Sequence, residues 1–209
     1  MVNSTQAVLM FMDLEPPAPS KLYDEVMEHL VKPGLLEEEY AKWLKEIVQI
    51  RKDIEHKKIL EVRGEFVDEW IEKAEKYVEK MFILLNVLEI RKKEKILERT
   101  HEVMLKAAAT AIKALRKLPE NMQIDELEKY LGISIRDAFK RDFIDSRRIK
   151  EYYFEVCERI EELKREVIDK KKFYKLKGDE VEQLRECVRK LIHELSRAVK
   201  EESKDIEEA

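Results

Sequence analysis

His29, His56, His101 and His193 are the residues around which chemistry could be built, because an imidazole titrates near neutral pH and also binds metals. Little else in the chain offers a reactive centre. The four glycines are isolated, so neither a phosphate-binding loop nor a dinucleotide fingerprint is present. There is no Gly-Ser followed by paired aspartates, no Gly-x-Ser-x-Gly elbow, and no nucleophile context around Cys157 or Cys187. Glu98-Arg99-Thr100-His101 has the Glu-x-x-His spacing of helical dimetal sites, which need a second such pair and two further glutamates. The nearest second pair, Asp53-Ile54-Glu55-His56, supplies only an Asp-x-x-His. No metal site and no cofactor are therefore expected, and His101 is placed beside Leu97, Met104 and Ala108 at a core edge. His29 follows Glu28 near a helix end and reads as a surface residue, while His193 belongs to a packed or solvated helix face.

Two basic patterns raise nucleic-acid binding. Asp125 to Phe139 imitates a helix-turn-helix, with Leu127 and Leu131 before Gly132, and Arg136, Lys140 and Arg141 on the second helix. Asp137 and Asp142 on that helix oppose phosphates, and a short helix, a Gly turn and a helix also join ordinary bundle helices. The cluster Arg91, Lys92, Lys93 could touch phosphates, although a charge run on a long helix is usually a solvated face.

The elements that would hold these residues are helical throughout. Apolar residues recur near a period of 3.6, and only 4 glycines and 5 prolines interrupt 209 residues. The spacing predicts a short helix over 2–12 capped by Asn3 or Ser4, then a stiff connector through Pro16, Pro17 and Pro19. Ser20 is the expected cap of a helix reaching Val31, ended by Pro33-Gly34. A stripe of Leu36, Tyr40, Leu44, Ile47, Ile50 and Ile54 predicts a helix over 35–58. A long pattern over 65–118 is expected to break near Arg91-Lys92-Lys93, before Pro119. Beyond it come a short helix over 124–131, a helix over 134–176 bent near Asp145-Ser146, and a final helix over 179–200. The last two form an antiparallel hairpin turning at Gly178, with Val181, Leu184, Val188, Leu191, Ile192 and Leu195 as the seam. No internal repeat at a fixed period is evident. The expected organisation is a helical bundle over 1–118 and a helical extension over 119–209 with an acidic tail.

Composition agrees with that class. Charged residues make up 42% and apolar residues 44%, which excludes β-sandwiches, barrels and disorder. The 42 basic and 46 acidic side chains give a net charge of −4, so no broad positive field marks a nucleic-acid protein. Scarce Asn and Gln with abundant Lys and Glu fit a thermophile composition. No apolar run reaches the roughly 20 residues that span a bilayer and no signal peptide opens the chain, so a cytoplasmic location without a membrane is expected. A disulfide between Cys157 and Cys187 is not expected.

One stretch carries a family resemblance. Arg51-Lys52-Asp53-Ile54-Glu55-His56 has an Arg, four residues, then a His, the hallmark spacing of HEPN ribonucleases. Around it, Asn3 to Met10, then Leu14-Glu15-Pro16-Pro17-Ala18-Pro19, and Gly34-Leu35-Leu36-Glu37-Glu38-Glu39-Tyr40 resemble HEPN domains of archaeal nucleotidyltransferase proteins. The resemblance covers residues 1–117. It implies a bundle that dimerises, partners a nucleotidyltransferase catalytic domain or subunit, and binds RNA, other nucleic acid or nucleotide. By the same analogy Arg51 would neutralise a scissile phosphate and His56 would act as general base or acid at a ribose 2′-hydroxyl, without a metal. Lys52, Asp53 and Glu55 would support the pair; Lys52 stands where active members place a small polar residue, and Lys58 where a Tyr is frequent. Five residues turn a helix by about 500°, so the two side chains lie about 140° apart, and a helix end, kink or partner protomer must complete such a site. The plain alternative pairs Arg51 with Asp53 or Glu55 and lets His56 finish the helix. The expected fold is thus all-α, a HEPN-like helical bundle with a long antiparallel helical-hairpin extension. The expected function is a nucleotidyltransferase-associated domain or metal-independent ribonuclease, with a non-catalytic helical scaffold as the alternative and a helix-turn-helix DNA-binding regulator third.

Overall fold

A computed structural model describes residues 1–176 and 178–207, with side chains to residue 202. Every regular element among the described residues is helical. In chain order these are α1 (Val2–Phe11), α2 (Leu22–Val26) running into a π-turn (Met27–Val31), α3 (Glu38–Glu55) and α4 (Gly64–Leu115). Then come α5 (Ile124–Leu131), α6 (Ile135–Phe139) with a π-turn (Lys140–Ile144), and α7 (Tyr152–Lys164) with a π-turn (Arg165–Asp169). A 3₁₀ turn (Phe173–Lys175) and α8 (Glu180–Glu207) complete the chain.

The residues fold as two compact units, Met1–Glu89 and Ile90–Ala209, so the boundary falls inside α4 and not at Leu118. The expected break at Arg91-Lys92-Lys93 does not occur. That stretch lapses in apolar spacing but holds no Gly or Pro, and Lys and Arg are good helix formers, so α4 runs through it.

The first unit packs α1, α2, α3 and the first half of α4 around Val8, Leu9, Leu22, Val26, Leu30, Leu44, Tyr77, Met81 and Leu84. Burying each such aliphatic side chain is worth about 2 kcal/mol. Two polar pairs fix the register. The Tyr77 hydroxyl meets Thr5 Oγ1 at 2.7 Å inside the core, and Lys80 reaches Glu37 at 2.7 Å on the surface. The second unit buries Leu97, Met104 and Ile112 of α4 against Leu127, Ile135, Phe143, Ile160, Leu163 and Val167, and against Val181, Val188 and Leu191 of α8. Here α7 packs on α8 through most of the predicted seam, and Arg159 Nε bonds Glu180 Oε1 at 2.7 Å. Asp142, almost fully buried, accepts a bidentate pair from Arg116 at 2.8 Å, and its carboxyl is held below the usual range despite burial.

Local ends differ from the expected caps. Ser4 and Thr5 hydroxyls donate back to Met1 O rather than capping, and Lys21 instead of Ser20 precedes α2. Ser134 does cap α6, accepting from Asp137 N–H at 3.1 Å, and α5 has the predicted bounds, closed by Gly132 at φ 69°. The single helix expected over 134–176 is instead α6, α7 and the 3₁₀ turn, because the chain reverses at Arg147, φ 58°, and Lys171, φ 55°.

The structure contains an internal repeat that sequence spacing did not reveal. The π-turns Met27–Val31 and Lys140–Ile144 lie 113 residues apart, and so do the positive-φ residues that follow, Gly34 and Arg147. The hydrogen bonds repeat at the same offset: Lys32 N–H to Met27 O and Asp145 N–H to Lys140 O, both 2.9 Å, and Leu36 N–H to Leu30 O and Ile149 N–H to Phe143 O, both 3.0 Å. Core positions follow: Leu22 with Ile135, Val26 with Phe139, Leu30 with Phe143, Leu36 with Ile149, Leu44 with Cys157. Upstream the offset is 104, joining Asp13 (φ 62°) to Lys117 (φ 55°) and Val8 to Ile112; the inserted helix α5 accounts for the change. Downstream it is 114, joining Tyr77 to Leu191, Met81 to Leu195 and Leu84 to Ala198, the π-turn Arg165–Asp169 adding the extra residue. Across 20–51 and 133–164 the identical pairs are only Asp24/Asp137, Glu38/Glu151, Tyr40/Tyr153 and Ile47/Ile160. The pattern of burial is kept while the residues are not.

Candidate functional site

Arg51, Lys52, Asp53 and Glu55 occupy the last turn of α3, and His56 is its C-cap. The exposed Arg51 side chain donates from Nε to Glu55 Oε1 at 2.8 Å, an i,i+4 pair worth only tenths of a kcal/mol at such exposure. Asp53 accepts from Gln49 Nε2 at 2.9 Å and sits 3.3 Å from Lys58 Nζ, and these contacts, Gln49 first, hold its carboxyl below the usual range. His56 is exposed, and its backbone N–H closes the helix on Lys52 O at 2.9 Å. Within one chain, α3 therefore holds Arg51 by its own carboxylate partner, and His56 stands exposed at the helix end. Nor does the pair recur: the second unit has Lys164 at the place of Arg51 and no His at the place of His56.

What Arg51 does border is an open trough of about 820 Å³ in the first unit. Its walls are Ile47, Val48, Ile50 and Ile54 of α3, Ala74 of α4, Met1 and Val2 at the start of α1, and the Pro19-Ser20 corner, with Arg51, Lys52 and Glu55 at the rim. Flanking Ala74, α4 exposes Val67 (42%), Ile71 (52%), Val78 (46%) and Phe82 (64%), and α3 exposes Ile54 (48%). Val67, Ile71, Ala74, Val78 and Phe82 are spaced 4, 3, 4 and 4, a second apolar stripe about 100° round the helix from Tyr77, Met81 and Leu84. Sequence reasoning missed this stripe, although the spacing was present; one stripe sufficed for a core, and the other blended into a long apolar pattern. Exposed large apolar side chains thus recur along one face of α4.

The other candidates are engaged elsewhere. Arg136 pairs with Glu158 and Glu161 and lies over the Phe154 ring, with Lys140 Nζ 5.2 Å from the same ring. Arg141 Nε bonds Asp142 at 3.0 Å. The helix, Gly132 turn and helix of that stretch are present, and Arg136, Lys140 and Arg141 face Glu158, Glu161 and Phe154 of α7 and the buried Asp142. Arg91 and Lys92 are exposed and Lys93 half-buried on the unbroken α4. His101 is half-buried, and desolvation together with the charge of Lys164 holds its imidazole below the usual range. His29 lies 3.3 Å from Glu25, and His193 is exposed on α8. Among the described residues no group of three or more His, Cys, Asp or Glu is placed to hold a metal ion, and no helix is long and apolar enough to cross a membrane. Cys157 and Cys187 are unpaired thiols; burial pushes the Cys157 thiol up to about 12, while Cys187 Sγ meets Tyr152 Oη at 3.1 Å. Comparisons of the chain with protein-family models, with curated proteins and with solved structures give no match.

Proposed function

We propose that this protein is a non-catalytic helical interaction protein whose N-terminal unit docks an apolar helix in the trough between α3 and α4. The observation that supports it is the open, mostly apolar trough lined by Ile47, Val48, Ile50, Ile54 and Ala74, on a helix α4 that also exposes Val67, Ile71, Val78 and Phe82. An amphipathic helix laid in a groove buries its apolar face through anchors spaced i, i+3, i+4 and i+7, the spacing this trough offers from its own side. The test is a fluorescence-anisotropy titration of a labelled 18-residue amphipathic helical peptide with the full chain. Saturable binding is expected, and it is lost in Ile71→Glu/Val78→Glu, whose exposed sites leave circular dichroism unchanged. No binding by the wild-type chain refutes the reading.

A second reading keeps the HEPN resemblance, and one observation favours it: Arg51 lines the trough and Lys52 its rim, so a docked protomer could bring further groups to that cation. In that reading the protein dimerises beside a nucleotidyltransferase and cleaves or holds RNA with Arg51 and His56. Its test is RNA cleavage in excess chelator by the wild type, Arg51→Ala and His56→Ala. Cleavage lost in both variants with intact folding would establish a ribonuclease; the docking reading expects none in any of the three.

A further inference from the structure

The second unit carries a cleft that the docking reading does not use. Between stretch 95–103 of α4 and stretch 185–192 of α8 lies a space of about 400 Å³, within the range of small-ligand sites. Its apolar lining is aliphatic, built from Ile96, Val103, Val188 and Ile192, and the almost fully buried Thr100 adds one hydroxyl. Two pairs of cations border it, Lys95 and Arg99 on α4 and Arg185 and Arg189 on α8, each pair spaced i,i+4. No carboxylate lines the cleft, in a chain with 46 acidic side chains against 42 basic ones. Like charges at i,i+4 oppose helix formation, and elsewhere this chain sets Glu four residues from Lys, as in Glu69–Lys73, Glu72–Lys76 and Glu102–Lys106. Nor does the packing require these cations: at the 114-residue offset Ile71 and Glu75 of the first unit stand at the places of Arg185 and Arg189. Their existing partners hold them loosely. Arg185 Nη1 lies 3.6 Å from Glu182 and Arg189 Nη1 3.2 Å from Glu186, exposed pairs of little strength. Lys95 and Arg99 form no ion pair among the described residues, and Arg99 acts only at longer range on Glu102, whose carboxyl Lys106 chiefly holds below the usual range.

We infer that this cleft is a binding site for a small alkyl diphosphate, its phosphate oxygens held by Lys95, Arg99, Arg185 and Arg189 and its chain laid on Ile96, Val188 and Ile192. Four cations suit a multiply charged anion, and the fork of an arginine meets phosphate oxygens two at a time. Thr100 offers the one hydroxyl of the lining to the same oxygens. The aliphatic walls suit a hydrocarbon body rather than a base, which proteins hold by stacking on aromatic rings and read by hydrogen bonds along its edge. Glu98 and Glu102 beside Lys95 and Arg99, with Glu182 and Glu186 beside the two α8 arginines, interrupt the positive surface. A compact anion therefore fits, and an extended nucleic-acid backbone does not. The site lies wholly in the second unit and stands apart from the trough of the first.

The experiment is isothermal titration of the full chain at low salt with geranyl diphosphate and with inorganic diphosphate. Geranyl diphosphate is expected to bind saturably at one site, and inorganic diphosphate about tenfold or more weakly, since it brings no chain to bury. Arg99 and Arg189 are exposed, so Arg99→Gln and Arg189→Gln keep the helical circular dichroism, and each is expected to weaken binding about tenfold. Lys129→Gln, exposed on α5 and away from the lining, is expected to leave the affinity unchanged. Absence of saturable binding by geranyl diphosphate overturns the inference, and so does binding that both arginine variants leave unaltered. Inorganic diphosphate binding as tightly as its ester would reduce the cleft to a cluster of charges and overturn the inference as well.

Discussion

Thr5 and Tyr77 are both fully buried, so their hydroxyls have no access to water, and the order in which they bond predicts an asymmetric mutant cycle. Thr5 Oγ1 lies 3.0 Å from Met1 O and 2.7 Å from the Tyr77 hydroxyl. With its own proton directed to Met1 O, Thr5 accepts from Tyr77. In Tyr77→Phe the donor disappears, yet Thr5 keeps Met1 O, so the cost is about 1 kcal/mol. In Thr5→Val the tyrosine hydroxyl is left buried without an acceptor, and the cost rises to about 2–3 kcal/mol. Met1 O keeps Ser4 Oγ at 2.7 Å, so that carbonyl adds nothing to the loss. In the double variant neither hydroxyl remains, and the total is expected near that of Thr5→Val or below it, a coupling of about 1 kcal/mol or more. The assay is urea unfolding followed by tryptophan fluorescence, since Trp43 and Trp70 both lie in the first unit beside the bond under test. Additivity within about 0.5 kcal/mol, or a larger loss in Tyr77→Phe than in Thr5→Val, would refute the assigned bonding order.

Burial pushes the Tyr77 hydroxyl from 10.0 up to about 12. Its neutral form is the one the fold holds, so its contribution is complete below pH 10 and is lost as pH rises to about 12, roughly 3 kcal/mol in all; comparing urea midpoints of wild type and Tyr77→Phe at both ends isolates that loss. Gly34 at φ 74° has open space where a Cβ would go, so Gly34→Ala is expected to cost about 1 kcal/mol from backbone strain alone. Its counterpart Arg147 already bears that strain at φ 58°, and thermal melts should show Arg147→Gly neutral to slightly stabilising. Iodoacetamide should modify Cys187 in the native chain and leave Cys157, with its thiol near 12, unmodified until urea unfolds the protein; simultaneous modification by mass spectrometry would contradict its burial.

Much of the architecture was legible because helices declare themselves through spacing and stops. Ile124 to Leu131 was bounded correctly, since Gly132 takes a left-handed conformation few other residues accept, and most of the α8 seam followed from its period. The unit boundary was not legible, because the division at Glu89 and Ile90 lies in a helix whose local chemistry favours continuation. The repeat escaped for a different reason. Packing asks only that position 44 or 157 be apolar and of fitting size, so Leu and Cys serve equally and identity decays while topology persists. The Arg51–His56 spacing was legible as a motif, but motif spacing carries no account of exposure, and Arg51 proved bonded to its own helix.

Because α4 belongs to both units, neither can melt without creating a new helix end. Unravelling residues 90–115 would leave the carbonyls of the turn before Glu89 without partners, beside Ile90 and Arg91, which are not residues that terminate helices well. Losing the first unit would likewise strip the N–H groups that follow residue 89. The helix nucleus is formed once for 52 residues, and a break in the middle must meet that nucleation cost again. Continuity of one backbone thus acts as a nearest-neighbour coupling in the sense of a one-dimensional chain, drawing two separate cores toward a single cooperative transition.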